Sequence, residues 1–168
     1  MEWSLPEWTV LGVVRERPAH GFAIAALTAR GGELGQVWQM PRPVVYRALS
    51  RLAEAGLVEP AEVESEGGPP RTVYAITPTG RAAVDEWLAT PVAHVRELRS
   101  HLLMKLALLD RRGLPVEPLV TVQRAALEPV LAALADEREH AEGFPSVLLT
   151  WRHGNVAAAL HFLDGLLG

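Results

Sequence analysis

Residues 42 to 80 constrain this chain more than any other stretch, because a helical period gives way there within a few residues to a strand period. Placed on a wheel at about 100° per residue, Val45, Ala48, Leu49, Leu52 and Gly56 gather on one side. Tyr46, Arg47, Ser50, Arg51 and Glu54 gather on the other, with Arg42 at the N-terminal tip. After Gly56, two alternating stretches over 57–64 and 71–76 flank a Gly67-Gly68-Pro69-Pro70 turn, which predicts a hairpin with a long tip. A helix that packs one face and presents a basic one, followed at once by a hairpin, is the order of a winged helix-turn-helix.

The flanking sequence extends that order. Ser4-Leu5-Pro6-Glu7 has capping-box spacing and predicts a first helix over about 5–16, ended by Pro18. Helical periodicity restarts at His20 and stops at Gly31-Gly32, and a third helix begins around Pro43, where proline costs no hydrogen bond. Thr77-Pro78-Thr79-Gly80 opens a fourth, carrying Val84, Trp87 and Leu88. Residues 1–91 are thus expected to form a winged helix-turn-helix DNA-binding domain, and 92–168 a helical dimerisation and candidate effector domain. The fold class is mainly α with a small β-hairpin wing.

Three helices are expected in the second part, over about 93–111, 116–141 and 146–167. In the first, the run from Leu102 to Leu109 is apolar on nearly every side and implies a second burial surface, most simply a partner subunit. The next carries Val116, Val120, Gln123, Leu127, Val130 and Leu134 at spacings of three and four, as in a packed helix pair. Pro129 should kink or split it.

The outward face of 42–54 has what reading DNA requires. Guanidinium groups form two parallel hydrogen bonds to guanine or grip phosphate, and a phenol and a hydroxyl suit phosphate oxygens. Arg42, Tyr46, Arg47, Ser50 and Arg51 are the candidate contacts on this helix. Arg71, at the base of the second wing strand, is placed for phosphate, although Glu62, Glu64 and Glu66 surround it. The net charge of −4, from 16 basic and 20 acidic residues, runs against a DNA-binding surface. Dividing the chain at Thr90 leaves 8 Arg against 11 acids on one side and 8 basic residues against 9 acids on the other. The argument for double-stranded DNA therefore rests on local charge, and a winged-helix protein-interaction module stays open as the alternative.

Several segments together resemble the PadR family of transcriptional regulators. They are Leu11 to Val14 with Pro18-Ala19-His20-Gly21-Phe22, then Val45 to Val58, then Arg71 to Arg81, and they cover most of residues 5 to 90. The resemblance implies a homodimer whose winged domains bind a palindromic operator and whose C-terminal helices form the interface, usually as a repressor released by a small molecule. Tyr46 matches the family's recognition-helix tyrosine, and Arg47 and Arg51 fall at positions commonly basic there. Phe22 departs from it, since the family often has tyrosine after His-Gly.

Other chemistries find little footing. The chain has no cysteine, which excludes disulfides and thiol catalysis and suits a reducing compartment, the cytoplasm being the expected one. No targeting signal or membrane span is legible. His101, His140, His153 and His161 contain no pair at the spacing of a helical zinc site, and no nucleophile setting is recognisable, so neither a metal, a cofactor nor catalysis is expected. Trp87, Met104, Trp151 and Phe162 could line an effector pocket; the competing reading is a packed core.

Overall fold

Helix α1, Leu5–Glu16, starts where the capping box places it, with the Ser4 N–H donating to Glu7 Oε2 at 3.1 Å. The structure, a computed structural model, describes residues 3–65 and 68–168. Strand β1, Ala19–His20, leads into α2, Gly21–Thr28, and a short 3-10 turn, Leu34–Gln36, precedes α3, Arg42–Glu54. The wing is β2, Val58–Glu64, and β3, Arg71–Ile76, followed by α4, Pro78–Ala89. Its expected tip at Glu66 and Gly67 lies outside the described residues.

The sheet has three antiparallel strands in the order β1-β3-β2, one more than the hairpin expected. Ala19 and His20 pair with Tyr74 and Val73. His20, expected inside the second helix, instead caps it: its Nδ1 accepts the Ala23 N–H at 3.0 Å. β2 is an edge strand, which is why it tolerates Pro60, and it bulges between Pro60 and Glu62. Thr77 closes the wing base, donating its hydroxyl to the Gly56 carbonyl at 2.7 Å and accepting the Gly80 N–H at 3.0 Å.

The chain divides into two compact units, Met1–Leu88 with Arg99–Leu114, and Ala89–Leu98 with Pro115–Gly168. A single boundary after residue 91 does not describe this division, because α5, Leu103–Arg111, belongs to the first unit. The reason is packing. A Cβ on Gly12 would lie 2.5 Å from Leu108 Cδ1, so the bare backbone there gives the Leu108 side chain of α5 its seat on α1. Met104 and Leu108 are fully buried in one core with Val10, Leu11, Ile24, Val45, Leu49 and Leu52. The partner surface expected for the apolar run from Leu102 to Leu109 is thus supplied largely by this chain's own winged unit. Instead of one helix over 93–111, a 3-10 turn, Val95–Glu97, and a π-helical turn, Leu98–Leu102, precede α5.

Ion pairs fasten the end of α5. Arg15 holds Asp85 through three hydrogen bonds of 3.1, 3.3 and 3.0 Å, and Arg112 reaches the same carboxylate at 3.2 Å. Arg111 holds Glu16 through two bonds of 2.8 Å and also pairs with Glu33. Burial alone would raise the Asp85 carboxyl, but the bonds and charge of Arg15 and Arg112 outweigh it and keep it below the ordinary aspartate value. Lys105 is buried with its Nζ 4.8 Å from the Trp87 ring centre, and Trp87 stacks on Trp8 at 5.2 Å. Burial lowers the Lys105 amine to about 8.

The second unit is built on a helix pair, α6, Glu117–His140, and α7, Gly143–Leu167. Buried Gln123 clasps the backbone of Val92, accepting its N–H at 2.6 Å and donating to its carbonyl at 3.1 Å. Pro129 neither splits α6 nor ends it. Both Pro129 and Ala125, whose carbonyl loses its intrahelical donor, are exposed, so water can satisfy the freed oxygen. Arg124 joins the two helices through Asp164 at 2.6 Å. Among the described residues no helix is long and apolar enough to cross a membrane.

Candidate nucleic-acid interface

Helix α3 divides as its period requires. Val45, Ala48, Leu49 and Leu52 are buried, whereas Arg42, Tyr46, Arg47, Ser50, Arg51 and Glu54 are exposed. Burying Val45, Leu49 and Leu52 at roughly 1.5–3 kcal/mol each fixes the rotation of the helix, and with it which residues face outward. Pro43 in the first turn donates nothing and loses nothing there.

The exposed residues are not equivalent. The side chains of Arg47 and Ser50 make no hydrogen bond or ion pair among the described residues, leaving every side-chain donor for a ligand. Tyr46 is 48% exposed, with its ring laid against Gly21, where a Cβ would come within 2.6 Å of the ring edge. Any larger residue at 21 would push the phenol away, so the N-terminus of α2 aims Tyr46. Arg51 is already employed: it pairs with the buried carboxylate of Glu7 and lies 5.5 Å from the Trp3 ring centre. It anchors α3 to α1, a role invisible locally because Glu7 is 44 residues away.

Phe22 gathers the remaining two candidates. The guanidinium carbon of Arg42 lies 4.8 Å from its ring centre and that of Arg71 4.3 Å. Arg71 faces Glu64 across the β2–β3 ladder, yet Glu64 reaches His20 Nε2 at 3.5 Å. With Nδ1 accepting a backbone N–H, the ring nitrogen facing Glu64 carries the proton. Arg71 forms no ion pair among the described residues, so the wing acid beside it does not neutralise it. A cleft of about 310 Å³ beside Phe22 is lined also by Arg30, Gln39 and Arg42. Arg30 and Gln39 carried no signal in the sequence beyond their residue type.

The four candidate effector residues are not gathered within one unit. Met104 is fully buried and offers no pocket surface, and half-buried Trp87 stacks between Trp8 and Lys105 in the first unit. Trp151 and Phe162 are exposed on α7 in the second. No group of three or more His, Asp or Glu that could hold a metal occurs among the described residues.

Residues 10–86 match the family model described as the transcriptional regulator PadR-like family. A probable transcriptional regulator of Mycobacterium tuberculosis is 30% identical over 93 residues, which are 55% of this chain and 48% of that one. The match therefore spans about half the length of this relative. Among solved structures, Bacillus subtilis PadR in complex with operator DNA aligns over 99% of this chain and 98% of its own at a TM-score of 0.51 and 19% identity, a likeness of fold.

Proposed function

With residues 10–86 belonging to the PadR-like family of transcriptional regulators, we propose that the protein is a sequence-specific DNA-binding regulator acting as a homodimer on a pseudo-palindromic operator. α3 enters the major groove, with Arg47 reading base edges and Tyr46 and Ser50 meeting phosphate oxygens. Arg42 and Arg71 grip the backbone on either side. The observation that carries this reading is the exposed face of α3, where the side chains of Arg47 and Ser50 have no partner among the described residues while the opposite face is buried.

Dimerisation is supported by α7. Val156, Leu160 and Leu163 are buried on one side, while Phe144, Val147, Trp151 and Phe162 are exposed and fall on the other, at 74%, 63%, 70% and 41%. A helix apolar on two faces needs a second cover, and a second copy supplies an identical one. Two copies also place two recognition helices about one turn of DNA apart. Repression, relieved by a small-molecule effector, follows from the family resemblance; derepression of a reporter on deletion of the gene tests it.

The experiment is selection of genomic fragments on the purified full-length protein, then footprinting and titration over a range of salt. A two-fold symmetric footprint whose affinity falls steeply with salt is expected. Retention of no fragment, together with tight capture of a protein, would replace this reading with the protein-interaction module.

A further inference from the structure

Phe22 lies where the helix-turn-helix and the wing meet a common side chain. Its ring, on the first turn of α2, takes Arg42 from the start of α3 and Arg71 from the start of β3, at 4.8 and 4.3 Å. Like charges drawn to one ring repel each other, so the quadrupole of the ring face must hold them. A cation–π contact engages the charge of a guanidinium and spends none of its five N–H donors. Both arginines can therefore be fixed in direction while their hydrogen bonds remain available. Phe22 itself is 37% exposed, more than a residue needed only for the core, and its neighbour His20 reaches the wing acid Glu64 at 3.5 Å.

We infer that Phe22 is a positioning residue: it holds Arg42 and Arg71 together as one anionic-backbone clamp and so couples the wing to the recognition helix. The inference rests on the DNA-binding reading. It assigns to a residue without any polar side-chain atom a part in binding phosphate, and it requires an aromatic face rather than bulk. Tyrosine keeps that face; leucine keeps the apolar volume and loses it.

The test uses the full-length protein and a fragment recovered by genomic selection. Phe22→Leu should weaken binding about tenfold, the size of two exposed cation–π contacts, whereas Phe22→Tyr should stay close to wild type. In a double-mutant cycle, the cost of Phe22→Leu should fall from about tenfold to about threefold once Arg71→Ala is present, because only the Arg42 contact is left to lose. In the free protein, the Arg42 and Arg71 Cδ protons should carry upfield ring-current shifts that vanish in Phe22→Leu and persist in Phe22→Tyr. Wild-type affinity in Phe22→Leu beside a weakened Arg47→Ala, additive losses in the cycle, or arginine shifts indifferent to residue 22 would each overturn the inference and leave the role of α3 standing. Wild-type affinity in both Phe22→Leu and Arg47→Ala would overturn the two together.

Discussion

Helices α3 and α7 each bury an apolar face and differ in what they turn outward. α3 exposes arginines, a phenol and a hydroxyl; α7 exposes Phe144, Val147 and Trp151. Water solvates the first face well and the second badly, so the first is built for a polar, charged partner and the second for removal from water. The units that carry them differ in the same sense. The first closes its core with its own α5 and locks it with Arg15, Asp85, Arg111 and Arg112. The second, centred on a helix pair, has a small interior and leaves large apolar side chains outside.

The hardest blow to this contrast is Trp151→Glu. If α7 forms the proposed dimer interface, a charge in the centre of its stripe should leave a monomer, costing that interface about 2–4 kcal/mol as an aromatic anchor does, with helix content unchanged. Sedimentation that still reports a dimer would remove α7 from the interface.

Within α3, Arg51→Ala and Arg47→Ala separate two duties on one face. Loss of Arg51 takes the countercharge from a buried carboxylate that Ser4 still bonds and should lower stability by about 1–2 kcal/mol, whereas Arg47→Ala should leave the melting temperature within a degree or two. Equal melting of the two variants would place Glu7 and Arg51 among idle surface pairs.

How much of this was legible in the sequence depends on the range of the cause. The faces of α3 follow from its own period, and α1, α2, α4 and the wing strands end at their prolines, glycines and caps. Arg51 could be placed on the outward face but not assigned to Glu7, which arrives from another helix. The run from Leu102 to Leu109 announced burial without saying against what; the core of the winged unit receives it, and a lone glycine in α1, where Leu108 seats, gives no such signal. β1 has two residues, too few for alternation to show. The effector set was not legible because aromatic and sulfur side chains fill cores as readily as they line pockets, as Met104 does.

Smaller effects probe the closed interior of the first unit. The Lys105 amine titrates near 8 when folded and near 10.5 otherwise. The unfolded chain therefore binds more protons between those values, and stability from this group rises as pH rises through that window. Lys105→Met should abolish that rise and be more stable than wild type near neutrality; an unchanged pH profile would contradict the burial of a charged amine. Asp85 behaves oppositely, being depressed from 3.8 when folded. Its contribution is fully present above about pH 4 and is lost as pH falls through the folded value. Because it is partly exposed, the loss should be slight, and Asp85→Asn should flatten that part of the acid limb.

The most direct measurement is a titration of wild-type and Arg47→Ala full-length protein against one selected operator fragment at fixed salt. The account predicts a loss of about 1–3 kcal/mol in Arg47→Ala, with no loss of folding stability. Equal affinity in the two proteins would contradict the claim that α3 reads DNA.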